Sequence, residues 1–136
     1  MKTFLFACVH NAGRSQMAAA LFNLYADGES CCTISAGTQP AVHVHPEVLE
    51  AMQEIGIDLS AARPQKLTDE LAQSASVLVT MGCGEACPFI PGLRRLDWAL
   101  PDPKGRSIED VRGIRDEIHE KVNALLRSEC ADCVTE

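Results

Sequence analysis

The residues best suited to chemistry fall in one short run, Cys8-Val9-His10-Asn11-Ala12-Gly13-Arg14-Ser15. A thiol opens it, an arginine and a hydroxyl close it, and small or polar residues lie between. Apolar Phe4-Leu5-Phe6-Ala7 precedes the run, and Met17, Ala18, Leu21, Phe22 and Tyr25 follow at helical spacing. Cys8 therefore ends a strand, and Arg14 and Ser15 begin a helix. A strand-loop-helix junction turns successive backbone N–H groups into one concavity, and the helix adds the positive end of its dipole. Such a cradle suits a tetrahedral oxyanion. Arg14 keeps its charge and can grip two oxygens at once. The same positive potential favours the attacking thiolate form of a cysteine at the cradle's mouth. Taken alone, Cys8 can also be read as a buried core thiol at the end of a strand, since buried free cysteine is common. The Cys-x5-Arg-Ser unit falling on the junction speaks against that reading.

The elements that position this run come next. Lys2–Ala7 is expected as strand one and Ser15 to about Ala26 as helix one. Cys31–Ala36 reads as strand two, with Cys31 and Cys32 packing on opposite faces, and Gly37 closes it. Thr38–His45 is a loop. Its His43-x-His45 pair could suit a metal, but no third ligand lies nearby in the sequence, so an ordinary loop and no metal site are expected. Pro46 opens a second helix with Val48, Leu49, Met52 and Ile55 on one face, ended by Gly56. A connector follows, with Arg63 as a solvated loop residue. Next come a short helix over Thr68–Ser74 and a third strand over Val77–Met81, apolar throughout as a central parallel strand should be. Gly82-Cys83-Gly84-Glu85-Ala86-Cys87-Pro88 reads as a loop or one loose turn. Arg95–Trp98 is strand four, and Pro101-Asp102-Pro103 a stiff corner. Ser107, with Asp110 three residues on, caps a final helix with the stripe Ile108, Val111, Ile114, Ile118, Val122, Leu125, Leu126. Ser128–Glu136, which contains Cys130-x2-Cys133, reads as a mobile tail.

This order implies a single-domain α/β fold over residues 1–136, an open four-stranded parallel sheet with helices on both faces. Ligands of such sheets bind beyond the carboxyl ends of the strands. Cys8, Cys83 and Asp102 each follow a different strand, so they converge on one rim. Asp102 can be read as a proton donor to a leaving oxygen or as a turn aspartate between prolines.

Composition narrows the classes. With 136 residues the chain can bury one core, and 46% of it is hydrophobic without a membrane-length apolar run. A net charge of −7 argues against nucleic acid and makes local potential responsible for any anion binding. Seven cysteines without an export signal suggest a cytoplasmic protein with redox, metal-binding or core thiols rather than a disulfide framework.

The stretch from Cys8 to Ser15 resembles the catalytic loop of the low-molecular-weight protein tyrosine phosphatases. The longer run to Ala18 resembles the arsenate reductases built on the same fold. The resemblance spans nearly the whole chain and implies that fold, Cys8 as nucleophile, Arg14 as oxyanion clamp and Asp102 as acid. It also implies an oxyanion loop of Val9, His10, Asn11, Ala12, Gly13, Arg14 and Ser15. In the reductases a second thiol completes the reaction, and Cys83 and Cys87 are the internal candidates. No tightly bound cofactor is implied, only a thiol reductant and a redox partner protein.

Details separate the members. A phosphatase wants an aromatic wall around its substrate ring and usually carries tyrosine just after the Asp-Pro, where this chain has Lys104. A small inorganic oxyanion, arsenate rather than phosphotyrosine, is therefore favoured. Thioredoxin-coupled reductases space their later cysteines more widely than Cys83-x3-Cys87. They also carry a carboxylate where this chain has Ala19, and a further cysteine where it has Gly13. The loop is more similar to members that use mycothiol or glutathione with a glutaredoxin-like protein. The runner-up is a phosphatase working through cysteinyl-phosphate. A third reading is a non-catalytic arsenite- or metal-binding module of Cys83, Cys87, Cys130 and Cys133, which leaves Arg14 and Asp102 without a role.

Overall fold

The structure, a computed structural model, describes residues 2–26, 31–82 and 91–129. Strand β1 (Lys2–Cys8) lies inside a four-stranded sheet of order β2-β1-β3-β4, with β2 Cys31–Gly37, β3 Val77–Thr80 and β4 Arg94–Asp97. Every pairing is parallel. Because β1 and β3 are covered on both faces, their side chains are apolar on both. Alternation sends Phe4, Phe6 and Cys8 into the larger core, and Leu5 and Ala7 into a smaller one on the opposite face.

The larger core is roofed by helices α1 (Arg14–Tyr25), α2 (Pro46–Gln53) and α4 (Ile108–Glu129). Phe22 of α1 packs against Phe4 and Phe6, with ring centroids 4.7 and 5.9 Å apart. The stripe of α4 buries Val111, Ile114, Ile118, Val122, Leu125 and Leu126. Arg112 and Arg115 of α4 both reach Glu54, just past the end of α2, and tie these helices together outside the core. The smaller core is covered by α3 (Asp69–Ser74) through Leu71 and Ala72, together with Leu67. Thr68 caps α3 by accepting from Leu71 N, and Ser107 accepts from Asp110 N at the start of α4.

The expected fold class is the observed one. Differences are local. Strand β4 begins one residue earlier than expected, at Arg94, and β3 stops at Thr80. Helix α2 ends at Gln53, so Ile55 falls in the following turn and is 40% exposed instead of joining the buried face. Helix α4 continues through Glu129, so the start of the expected tail is helical. Its apolar stripe runs on to Leu125 and Leu126, and that packing carries the last turn past Ser128. The rest of the tail, with Cys130 and Cys133, lies outside the described residues, as does the loop segment with Cys83 and Cys87. No helix among the described residues is long and apolar enough to cross a membrane.

Register decides where the site forms. Cys8 pairs with Gly37, Ala7 with Thr80, and Thr80 with Asp97. The carboxyl ends of all four strands thus come level on one rim. The chain leaves β1 and β3, the two inner neighbours, at that rim, where open α/β sheets place their ligands.

Candidate active site

The loop from Cys8 to Gly13 is held from outside through its carbonyls. Cys8 O accepts from Thr38 N (3.1 Å), Val9 O from Gln39 N (2.8 Å), His10 O from Ala41 N (2.9 Å) and Ala12 O from His45 N (2.9 Å). Asn11 O accepts from Gln16 Nε2 (3.1 Å) and Gly13 O from Met17 N (2.9 Å). These bonds hold the loop curved around the start of α1, the frame that the expected anion cradle requires.

Inside it, Asn11 organises the polar groups. It is fully buried and adopts the left-handed conformation at φ 49°, which asparagine tolerates better than most residues. Its Oδ1 accepts from Gln65 N (2.9 Å) and Gln16 Nε2 (3.3 Å), and its Nδ2 donates to Ser15 Oγ (2.7 Å). Ser15 Oγ lies 2.9 Å from Cys8 Sγ. Since Asn11 occupies an acceptor position of that hydroxyl, its hydrogen is free to donate to the Cys8 sulfur. Cys8 is 2% exposed, so the thiol sits on the floor of the cradle and not at its mouth. The reason is its place as the last residue of β1, facing the larger core.

Arg14 is 5% exposed, and its Nη1 donates to Leu100 O (3.1 Å). Its guanidinium packs against Gly82, whose φ is 90°; a Cβ there would overlap Nη1. Nη2 is 3.8 Å from Asp102 Oδ2, on a carboxylate that is 40% exposed. Asp102 Oδ1 accepts from Lys104 N (3.0 Å), and Asp102 O accepts from Arg106 Nε (2.6 Å). Next to it, Pro103 packs on the cradle so closely that a Cβ on Gly13 would come within 2.5 Å of its ring. The Pro-Asp-Pro corner is thus seated on the oxyanion loop, with its carboxylate above Arg14.

Cys8, Arg14, Asp102 and the loop Val9–Ser15 therefore come together. Arg63 stays in solvent, its guanidinium donating to Ser60 O and Ala62 O. Cys31 is buried in the larger core, and Cys32 lies 3.2 Å from Thr3 Oγ1. Reasoning from sequence overlooked Gln16, Gln65, Gly82 and Leu100 O. It also placed His45 in an ordinary loop without a third ligand nearby. In the fold, His45 caps the start of α2 beside His10 and Asp102. Burial holds the His45 imidazole below its ordinary value, while Asp102 opposes that shift.

A parallel α/β sheet that brings a buried cysteine and a buried arginine together at one strand-to-helix loop is an arrangement able to hold an oxyanion beside a thiol. Residues 3–133 match the low molecular weight phosphotyrosine protein phosphatase family, and the chain belongs to it. It is 43% identical to the Corynebacterium glutamicum thioredoxin-dependent arsenate reductase, with a TM-score of 0.82. That likeness covers 94% of this chain and 61% of that longer one. A Halobacterium salinarum protein provisionally named an arsenate reductase is 41% identical over 88% of this chain and 87% of its own length. The glutaredoxin arsenate reductase of Synechocystis sp. is 33% identical over 93% of this chain and 97% of its own.

Proposed function

We propose that this chain is a thiol-dependent arsenate reductase. Arsenate sits in the cradle with its oxygens on the loop amides and on Arg14. The Cys8 thiolate attacks arsenic and forms a sulfur–arsenic bond, and one oxygen leaves as water with a proton from Asp102. A second thiolate then attacks the Cys8 sulfur. A disulfide forms, the electron pair of the sulfur–arsenic bond passes to arsenic, and arsenic(V) departs as arsenite, arsenic(III). Two thiols supply the two electrons, and a redox partner protein restores them.

One observation carries the choice of substrate: among the described residues no Phe, Tyr or Trp side chain walls the cradle, and Phe4, Phe6 and Phe22 are fully buried in the core. The Tyr25 ring is stacked on His119 (5.3 Å) between α1 and α4, and Trp98 packs against Phe6 (5.9 Å). Lys104 follows the Asp-Pro, where phosphatases of the family usually carry tyrosine. The relatives' names agree with this reading. Hydrolysis of an aryl phosphate through cysteinyl-phosphate is the alternative, favoured by the family match alone. Measuring arsenite release and aryl phosphate hydrolysis on one preparation separates them. Arsenite production with slow hydrolysis supports the reductase, and efficient hydrolysis without arsenite overturns it.

For the second thiol, an external small thiol is the preferred source, mycothiol or glutathione with a glutaredoxin-like protein. Cys83 and Cys87 are then auxiliary. The internal alternative uses Cys83 and Cys87 with thioredoxin; relatives named for thioredoxin and for glutaredoxin keep both routes in play. A single turnover without added thiol decides. A stalled Cys8 adduct supports the external route, and prompt arsenite release with a Cys8–Cys83 or Cys83–Cys87 disulfide replaces it with the internal one.

A further inference from the structure

Three side chains from distant parts of the chain meet at the mouth of the cradle without a role in its hydrogen-bond network. His10 comes from the oxyanion loop, His45 from the start of α2 and Asp102 from the Pro-Asp-Pro corner. One donor atom of each lies within 4.8 Å of the others. The two imidazoles meet edge to face with centroids 6.2 Å apart. His10 Nδ1 is the observation that needs explaining. It is a buried polar atom without a hydrogen-bond partner. Its nearest charged neighbour, Asp102 Oδ2, is 3.8 Å away, too far for a hydrogen bond. Buried polar atoms left in this state point to a bound water or ion.

We propose that His10, His45 and Asp102 form a site for a divalent transition metal, with zinc(II) the best fit. Two imidazoles and one carboxylate are a borderline-soft donor set suited to zinc, and three protein ligands leave one position for water. Tetrahedral coordination at zinc–nitrogen and zinc–oxygen distances of about 2.0–2.1 Å puts ligand atoms about 3.3 Å apart. His10 Nδ1 and Asp102 Oδ2 are already close to that separation. All three side chains are partly exposed, so the remaining adjustment can be made by rotamers rather than backbone. His43, the other half of the His-x-His pair, is exposed and takes no part. Because Asp102 is a ligand, metal loading and proton donation by Asp102 exclude each other. The site therefore bears on the proposed reaction, although binding itself does not depend on it.

The test uses the reduced full-length protein titrated with zinc(II), read by nitrogen-15 NMR of the four histidine side chains. His43 and His119 are internal controls, and thiol binding of zinc leaves imidazole signals in place. The expected result is a stoichiometric shift of His10 and His45 with His43 and His119 unmoved. His45→Ala and, separately, His10→Gln should each weaken zinc binding at this site at least about tenfold. Zinc binding that leaves the His10 and His45 signals unchanged overturns the proposal. So does a response shared equally by all four histidines, or affinity unaltered in both variants. Two substitutions at partly exposed positions guard against one of them failing to fold.

Discussion

Replacing Asn11 by alanine should separate the polar organiser of the cradle from the groups that touch substrate. The substitution removes the bonds to Ser15 Oγ (2.7 Å), Gln65 N (2.9 Å) and Gln16 Nε2 (3.3 Å). At about 1 kcal/mol net for each, the loss is about 3 kcal/mol. Alanine at φ 49° adds about 1 kcal/mol that asparagine largely avoids. For a domain of this size the total of about 4 kcal/mol lowers Tm by about 10 °C or more. Asn11→Gly loses the same bonds but is at ease in the left-handed region. After its larger unfolded-state entropy is deducted, it should remain up to about 0.5 kcal/mol more stable than Asn11→Ala. Urea unfolding of the three proteins in phosphate-free buffer measures both differences. An alanine variant within about 1 kcal/mol of the parent, or more stable than the glycine variant, refutes the argument. In both variants Ser15 loses the donor that orients it, so the Cys8 step should slow even in molecules that remain folded.

The other predictions concern groups around the cradle. Gly82→Ala should push the Arg14 guanidinium off its seat and weaken arsenate and phosphate binding at least about tenfold, read by calorimetry, with little change in helix content. Arg14→Lys keeps the charge but not the two-pronged grip, so single-turnover kcat should fall about a hundredfold or more; a change in KM alone would argue against the clamp. Asp102→Asn should slow hydrolysis of a poor-leaving-group phosphate ester more than that of a good one, and equal losses would falsify proton donation. Hydrogen bonding from Thr80, and then from Arg95, holds the Asp97 carboxyl below its ordinary value. A depressed carboxyl stabilises the fold above its unfolded pKa of about 3.9, and the contribution is lost as pH falls through the folded value. The urea midpoint should therefore drop less on acidification in Asp97→Asn than in the parent.

How much of this was legible beforehand follows from chain separation. Cys8 to Ser15 could be read as a cradle because its strand, loop and helix are contiguous, and periodicity alone announces both flanks. The parallel sheet was legible because strands alternate with amphipathic helices, and from it came the convergence of Cys8 and Asp102 on one rim. Strand alternation also put Cys31 and Cys32 on opposite faces, because side-chain direction is set by local backbone geometry, but only the packed fold shows that Cys31 is the one buried in the larger core. The seat of Arg14 on Gly82, the Asn11–Gln16–Gln65 bonds and the meeting of His10, His45 and Asp102 were not legible. Each joins residues distant in sequence whose proximity depends on strand register and on how closely loops pack. His45 shows the difference most clearly. In the sequence its only neighbouring candidate ligand is His43, which the fold turns to solvent. Its partners in space arrive from the ends of other strands. Local sequence sets which residues are helical, extended or inward-facing, because those preferences arise within a few bonds. Which side chains meet above the sheet was decided by tertiary packing, because the register Cys8–Gly37 and Ala7–Thr80 brings those loops level.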